Sequence, residues 1–149
     1  MGSTMSIVLV GSTSGSVTLQ EPAVAGSTIL DLPATSGTLG FLNIPQNSQS
    51  TAYTLVLTDS GKQIFHPSAD TTARIFTIPD NSSVAFPIGT AVTFINQNGA
   101  GVITIQITTD TMRLAGPGTT GSRTLAANGV ATAIKITSTE WIISGTGLT

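Results

Sequence analysis

Apolar and polar residues alternate along this chain in short runs, and helical spacing is almost absent. Alternation with a period of two sends one set of side chains inward and the other outward, which is the signature of half-buried strands. In Ala52–Thr58, Tyr53, Leu55 and Leu57 alternate with Thr54, Val56 and Thr58. Residues 59–62 (Asp-Ser-Gly-Lys) then turn that run back into Gln63–His66. The runs Ala91–Gln97 and Val102–Thr108 flank Asn98–Gly101, a short glycine-containing connection that predicts a hairpin. Arg123–Thr137 pivots on Asn128–Gly129, the strongest short hairpin dipeptide, and predicts a second one. Glu140–Gly145 reads as a terminal strand. The sum is about nine or ten strands with little helix, bounded by Gly, Pro, Asn and Asp. The fold expected is all-β, a β-sandwich or barrel-like body of jelly-roll type.

The pattern changes character near residues 43–51. Upstream, an eleven-residue unit repeats: Leu19 recurs as Leu30, Pro22-Ala23 as Pro33-Ala34, and Gly26 as Gly37. Each unit offers one strand of about four residues, ~13 Å long, too short to stand without a neighbour. Downstream lie six of the seven aromatic residues, Tyr53, Phe65, Phe76, Phe86, Phe94 and Trp141. Aromatic side chains bury the most area each, so the core belongs to the second part. Residues 1–44 are expected to form an extended β arm, and residues 45–149 a compact body.

Composition sharpens this picture. Charged residues make up 8% of the 149-residue chain, against about 25% in an ordinary globular protein. Polarity rests on 26 Thr and 16 Ser, while 40% hydrophobic residues suffice for a packed core. The net charge is −2, and five basic residues cannot follow a phosphate backbone, so a nucleic-acid partner is not expected. No run approaches the roughly 18–20 apolar residues of a membrane-spanning helix, so no membrane partner is expected either. Cysteine is absent, which removes disulfides and thiolate metal sites. The first residues carry no basic leader, which points to synthesis in the cytoplasm.

Candidate chemistry is sparse. His66, Ser68 and Asp70 fall within five residues, but triad members come from distant segments, and His66 reads as a strand-end residue. Gly11–Gly15 places Thr13 where a nucleophile elbow needs Ser. Gly61-Lys62 lacks the remaining phosphate-loop residues, with Val56 and Gln63 at the diagnostic positions. Asp59, Asp70, Asp80 and Asp110 sit at turns, where Asp caps its own backbone. A calcium ion between loops would need several of these oxygens clustered, and that alternative stays open. Asn81–Ser83 matches a glycosylation sequon but reads as a turn. Neither a catalytic residue nor a cofactor is assigned. Trp141 alternates with Ile143 as a core residue would, its alternative being a sugar-stacking platform shared with Tyr53. Arg74, Arg113 and Arg123, the three arginines, are candidates for an interface or for exposed strand positions. Leu19, Pro22, Leu30 and Pro33 of the repeat are candidates for the same interface.

Sheet proteins protect their edges with charges, especially Lys, or with proline, bulges or coverage. This chain has two lysines, Lys62 and Lys135, and Val102–Thr109 carries no charge. Its edges therefore need occupants, supplied by sister copies or by a larger surface.

Three tracts carry a resemblance to a known class. Residues 15–39, residues 77–105 (Thr-Ile-Pro-Asp-Asn-Ser-Ser-Val through Gly-Val-Ile-Thr-Ile) and residues 141–149 (Trp-Ile-Ile-Ser-Gly-Thr-Gly-Leu-Thr) resemble modules of tailed-bacteriophage virion proteins. The resemblance implies a β-rich homotrimer without catalysis, located in the virion and partnered by the major capsid protein or a tail protein. It supplies no functional motif to carry over. A chain this short leaves little room for a fibre shaft, so a head decoration or cement protein leads. A tail-fibre or spike segment that binds a host receptor follows, and a carbohydrate-binding β-sandwich is the rival from another class.

Overall fold

The computed structural model describes residues 7–10, 12–19 and 43–149. The chain divides into two compact units, Met1–Leu39 and Gly40–Thr149. In the first, β1 (Ile7–Val10) and β2 (Ser16–Leu19) pair antiparallel, with Ile7 opposite Leu19 and Val10 opposite Ser16. Val8, Leu9 and Val10 are exposed. Leu19 lies on β2, whereas Pro22, Leu30 and Pro33, with most of the eleven-residue repeat, fall outside the described residues.

Among the described residues the second unit holds nine strands. They are β3 (Gln46–Ser48), β4 (Tyr53–Thr54), β5 (Gln63–His66), β6 (Arg74–Ile78), β7 (Ala91–Asn96), β8 (Ile103–Ile107), β9 (Thr111–Leu114), β10 (Arg123–Lys135) and β11 (Glu140–Leu148). A single 3-10 turn covers Leu57–Asp59, and no α-helix occurs among the described residues. Odd and even strands separate. β3, β5 and β7 pair side by side in parallel, with Asn47 beside Ile64 and Ile64 beside Phe94. β4, β6 and β8 do the same, with Tyr53 beside Phe76 and Phe76 beside Ile105. The chain thus winds from one stack to the other and back, adding one strand to each on every circuit.

β10 joins the stacks. Its first residues, Arg123–Leu125, pair antiparallel with β8, and Gly129–Ile134 pair antiparallel with β7. Its other edge takes β11, which in turn takes β9 in parallel. The result is one sheet in the order β3-β5-β7-β10-β8-β6-β4, curled so that both stacks share one core. The body is all-β and barrel-like, as the alternation predicts.

Both expected hairpins are corrected. β7 and β8 are not partners; each extends its own parallel stack. The Asn98–Gly101 connection instead steps between layers, and Gly101 N–H bonds to the Asp70 carbonyl at 3.0 Å, packing one connecting loop on another. Gly101 has no substitute there: a Cβ would stand 2.3 Å from the Thr72 carbonyl oxygen. Asn128–Gly129 makes no hairpin either. Asn128 takes φ = 65°, and the register with β11 slips between Leu125 and Val130. This bulge bends one 13-residue strand so that it serves both stacks. The Asp59–Lys62 turn likewise leads β4 across to β5 without pairing them.

Inward positions form ladders across the strands. Ile64, Phe94 and Ala131 align in one, and Val92, Ala133 and Ile143 in another. In the opposite stack Ile103 aligns with Leu125, and Phe76 with Ile105. All are buried. Fully burying each large side chain contributes about 1.5–3 kcal/mol, which fixes the register because a one-residue slip would turn every ladder outward. The core also takes Phe86 and Trp141, whose rings meet edge to face at 5.6 Å.

Candidate functional site

Polar groups enter this core at three places. The largest network begins at His66, the last residue of β5, whose inward parity leaves it wholly buried. Asn96 sits beside it on β7 by parallel register. The Asn96 Nδ2 group donates to the carbonyls of Gly101 (2.9 Å) and Leu125 (3.0 Å), which turns its Oδ1 toward His66 Nδ1 at 3.0 Å. His66 Nε2 faces Asp70 Oδ2 at 3.1 Å. Arg74 Nε and Nη2 donate to the two oxygens of the same carboxylate at 2.6 and 3.1 Å, and the Thr72 N–H adds a further bond. The Arg74 guanidinium holds the Asp70 carboxyl well below the usual carboxylate range, and Asp70 in turn raises Arg74.

This network ties β5, β6, β7 and β10 to the loops between them. It does not present a nucleophile. Both imidazole nitrogens face acceptors, and Ser68 is exposed, its N–H donating to Gln97 Oε1. Among the described residues, Asn96 and Asp70, not a hydroxyl, stand against the two ring nitrogens. The phenyl ring of Phe76 packs edge-on against it at 6.0 Å.

A second network closes the first circuit of the winding. Buried Asp59 accepts hydrogen bonds from Asn47 Nδ2 (2.9 Å), Tyr53 Oη (2.7 Å) and the Val56 N–H (2.9 Å). β3 and β4 are thereby clamped to the same carboxylate. Desolvation, and then the bond to Asp59, push the Tyr53 hydroxyl above its ordinary range.

The third is Lys135, buried to 1% exposure on β10 opposite Trp141. Its ammonium donates to Asn81 Oδ1 at 2.6 Å and lies 5.7 Å from the centre of the Trp141 ring. No carboxylate oxygen lies within 4.0 Å of it among the described residues. Asp110, also buried, accepts the Asn81 N–H at 3.0 Å. Asn81 is thus held from both ends inside the sequon that contains it.

The residues singled out from the sequence are dispersed. Trp141 is wholly buried, so it is a core residue with no face for a sugar, and the stacking alternative fails there. Tyr53 is half-buried with its hydroxyl tied to Asp59, and it does not meet Trp141 on a common surface. Arg74 is engaged by Asp70. Arg113 pairs with Glu140 at 2.7 Å and bonds the Gly118 carbonyl. Arg123 caps the Thr119 carbonyl and hydroxyl, with its Nε buried and without an acceptor. Each guanidinium therefore braces a local loop or strand pair. Asp80 accepts from Ser82 and Ser83 within its own turn, bonds that keep its carboxyl below the usual range, the Ser82 hydroxyl foremost. No group of three His, Asp or Glu side chains gathers among the described residues.

Sequence reasoning missed Asn96 and Asn47, since their partners stand 30 and 12 residues away. It also missed what remains open. Residues 43–58 carry no charge, the outer edges of β3 and β4 have no strand partner among the described residues, and Ile44, Val56 and Leu57 beside them are exposed. No family model, no curated protein and no solved structure matches this chain.

Proposed function

We propose that this protein is a non-enzymatic structural component of a tailed-phage particle, a homotrimeric head decoration or cement protein that stabilises the capsid surface. The body docks on the major capsid protein, and residues 1–44 reach along the assembly as an arm. One observation carries the reading: an all-β body ends in two uncharged edges, those of β3 and β4, with no further strand partner among the described residues and with exposed Ile44, Val56 and Leu57 beside them. Such an edge is a template for another chain unless it is occupied. A particle surface occupies it in a defined geometry, whereas a freely diffusing protein would more commonly carry lysines there. The resemblance of residues 15–39, 77–105 and 141–149 to phage virion modules supports the same class.

The test is to add the purified chain to emptied phage capsids and to host cells. A cement protein saturates the capsids, raises their melting temperature and leaves cells unlabelled. Binding to cells or their surface glycans, without capsid binding, would replace the proposal with a tail-fibre or spike segment on a tail protein. Binding to neither overturns both.

A further inference from the structure

One contact in the core sets a nucleophile against an electrophile. Lys135 Nζ lies 2.6 Å from Asn81 Oδ1, so the Asn81 carbonyl carbon is the next atom along. The two residues stand 54 positions apart in the chain. Lys135 is 1% exposed, and no carboxylate oxygen lies within 4.0 Å of it among the described residues. An ammonium group has three hydrogens to donate. Among the described residues it meets one acceptor, Asn81 Oδ1, and the Trp141 ring at 5.7 Å. A charge buried with so little compensation is costly. An amide nitrogen in the same place would carry no charge and a single donor.

Both partners are fixed in position by their backbones. The Lys135 N–H donates to the Thr90 carbonyl at 2.9 Å, and the Lys135 carbonyl accepts the Gly89 N–H at 2.8 Å. The Asn81 N–H donates to Asp110 Oδ2 at 3.0 Å, within a turn closed by the Ser83 and Val84 N–H groups on the Asp80 carbonyl. Trp141 is wholly buried beside Lys135, and Phe86 backs it. The amine's neighbours are thus an indole ring and the Asn81 amide. Groups held in contact this way react far faster than the same groups free in solution.

We propose that Lys135 and Asn81 join through an isopeptide bond once the chain has folded. The Lys135 Nζ lone pair adds to Asn81 Cγ, the Nζ–Cγ bond forms, and the Cγ–Nδ2 bond breaks. Nζ sheds one proton to free its lone pair and a second after attack. Both leave on Nδ2, which departs as an ammonium ion. Atoms and charge balance, and the step needs no oxidant or co-reactant. It happens once per chain, so it is a self-modification rather than a turnover, and it is independent of the particle role proposed above. The bond ties β10 to the turn that follows β6.

Mass spectrometry of the full chain, purified folded and then denatured, tests this. The native chain is expected to weigh one ammonia less than its sequence. Trypsin should leave Lys135 uncut and release residues 75–113 joined to residues 124–149 as one branched peptide. Lys135→Arg keeps the cation but replaces the amine with an always-protonated guanidinium, and it should restore the full mass and linear peptides. A native chain of full mass, cut normally after Lys135, overturns the proposal. So does an ammonia lost with Lys135 still cut, because Asn81 would then have closed on the backbone nitrogen of Ser82.

Discussion

The two ends of the parallel stacks are built from opposite materials. At one end β10, 13 residues long, pairs with the last strand of each stack, and the nine-residue β11 lies along it. At the other, β3 and β4 have three and two residues and end without a strand partner among the described residues. The sealed end is closed by apolar ladders, Trp141 and a bulge that lets one strand turn the corner. The open end is held by a polar clamp on Asp59. Shortness and Pro45 limit pairing at such an edge, and no exposed charge in residues 43–58 stands there to do more. Stability is thus concentrated where the molecule is complete in itself, and availability where it is not.

The sharpest way to break that contrast is at the sealed end. Trp141→Ala removes the ring that fills the space between Phe86 and Lys135. A loss of about 3–5 kcal/mol is expected in urea unfolding, a large part of a small domain's stability. At the open end, Asp59→Ala strips the acceptor from Asn47, Tyr53 and the Val56 N–H. About 2–3 kcal/mol is expected from the stranded donors, with hydrogen exchange accelerating first in β3 and β4.

Acid sharpens the comparison from between the ends. Asp70 is depressed chiefly by Arg74, so its contribution is whole above the unfolded carboxyl value of about 4 and is lost as pH falls through its lower folded value. The melting temperature should therefore drop below about pH 4, and Asp70→Asn should flatten that slope while lowering stability at neutral pH. The smallest expected effect is Thr54→Lys on the open, exposed edge. It should change unfolding by less than about 0.5 kcal/mol while weakening the capsid binding proposed above, which separates the edge's proposed role from the fold's.

Strand content, the buried aromatics and the terminal strand were legible because alternation reports burial directly. Partner choice was not, since a strand shows the same period whether its neighbour is parallel or antiparallel. Asn98–Gly101 and Asn128–Gly129 carry the residues that hairpins use. In one case a layer crossing, and in the other a bulge, uses the same backbone freedom. His66 was readable as a strand end and Asp70 as a turn, but their link to Asn96 depends on β5 and β7 lying side by side.

That pairing is the account's centre, and backbone nuclear Overhauser contacts measure it directly. Parallel stacking predicts interstrand contacts between Ile64 and Phe94 and between Phe76 and Ile105, with none linking β7 to β8 as a ladder. A ladder of antiparallel contacts running from Ala91–Asn96 to Ile103–Ile107 would contradict it.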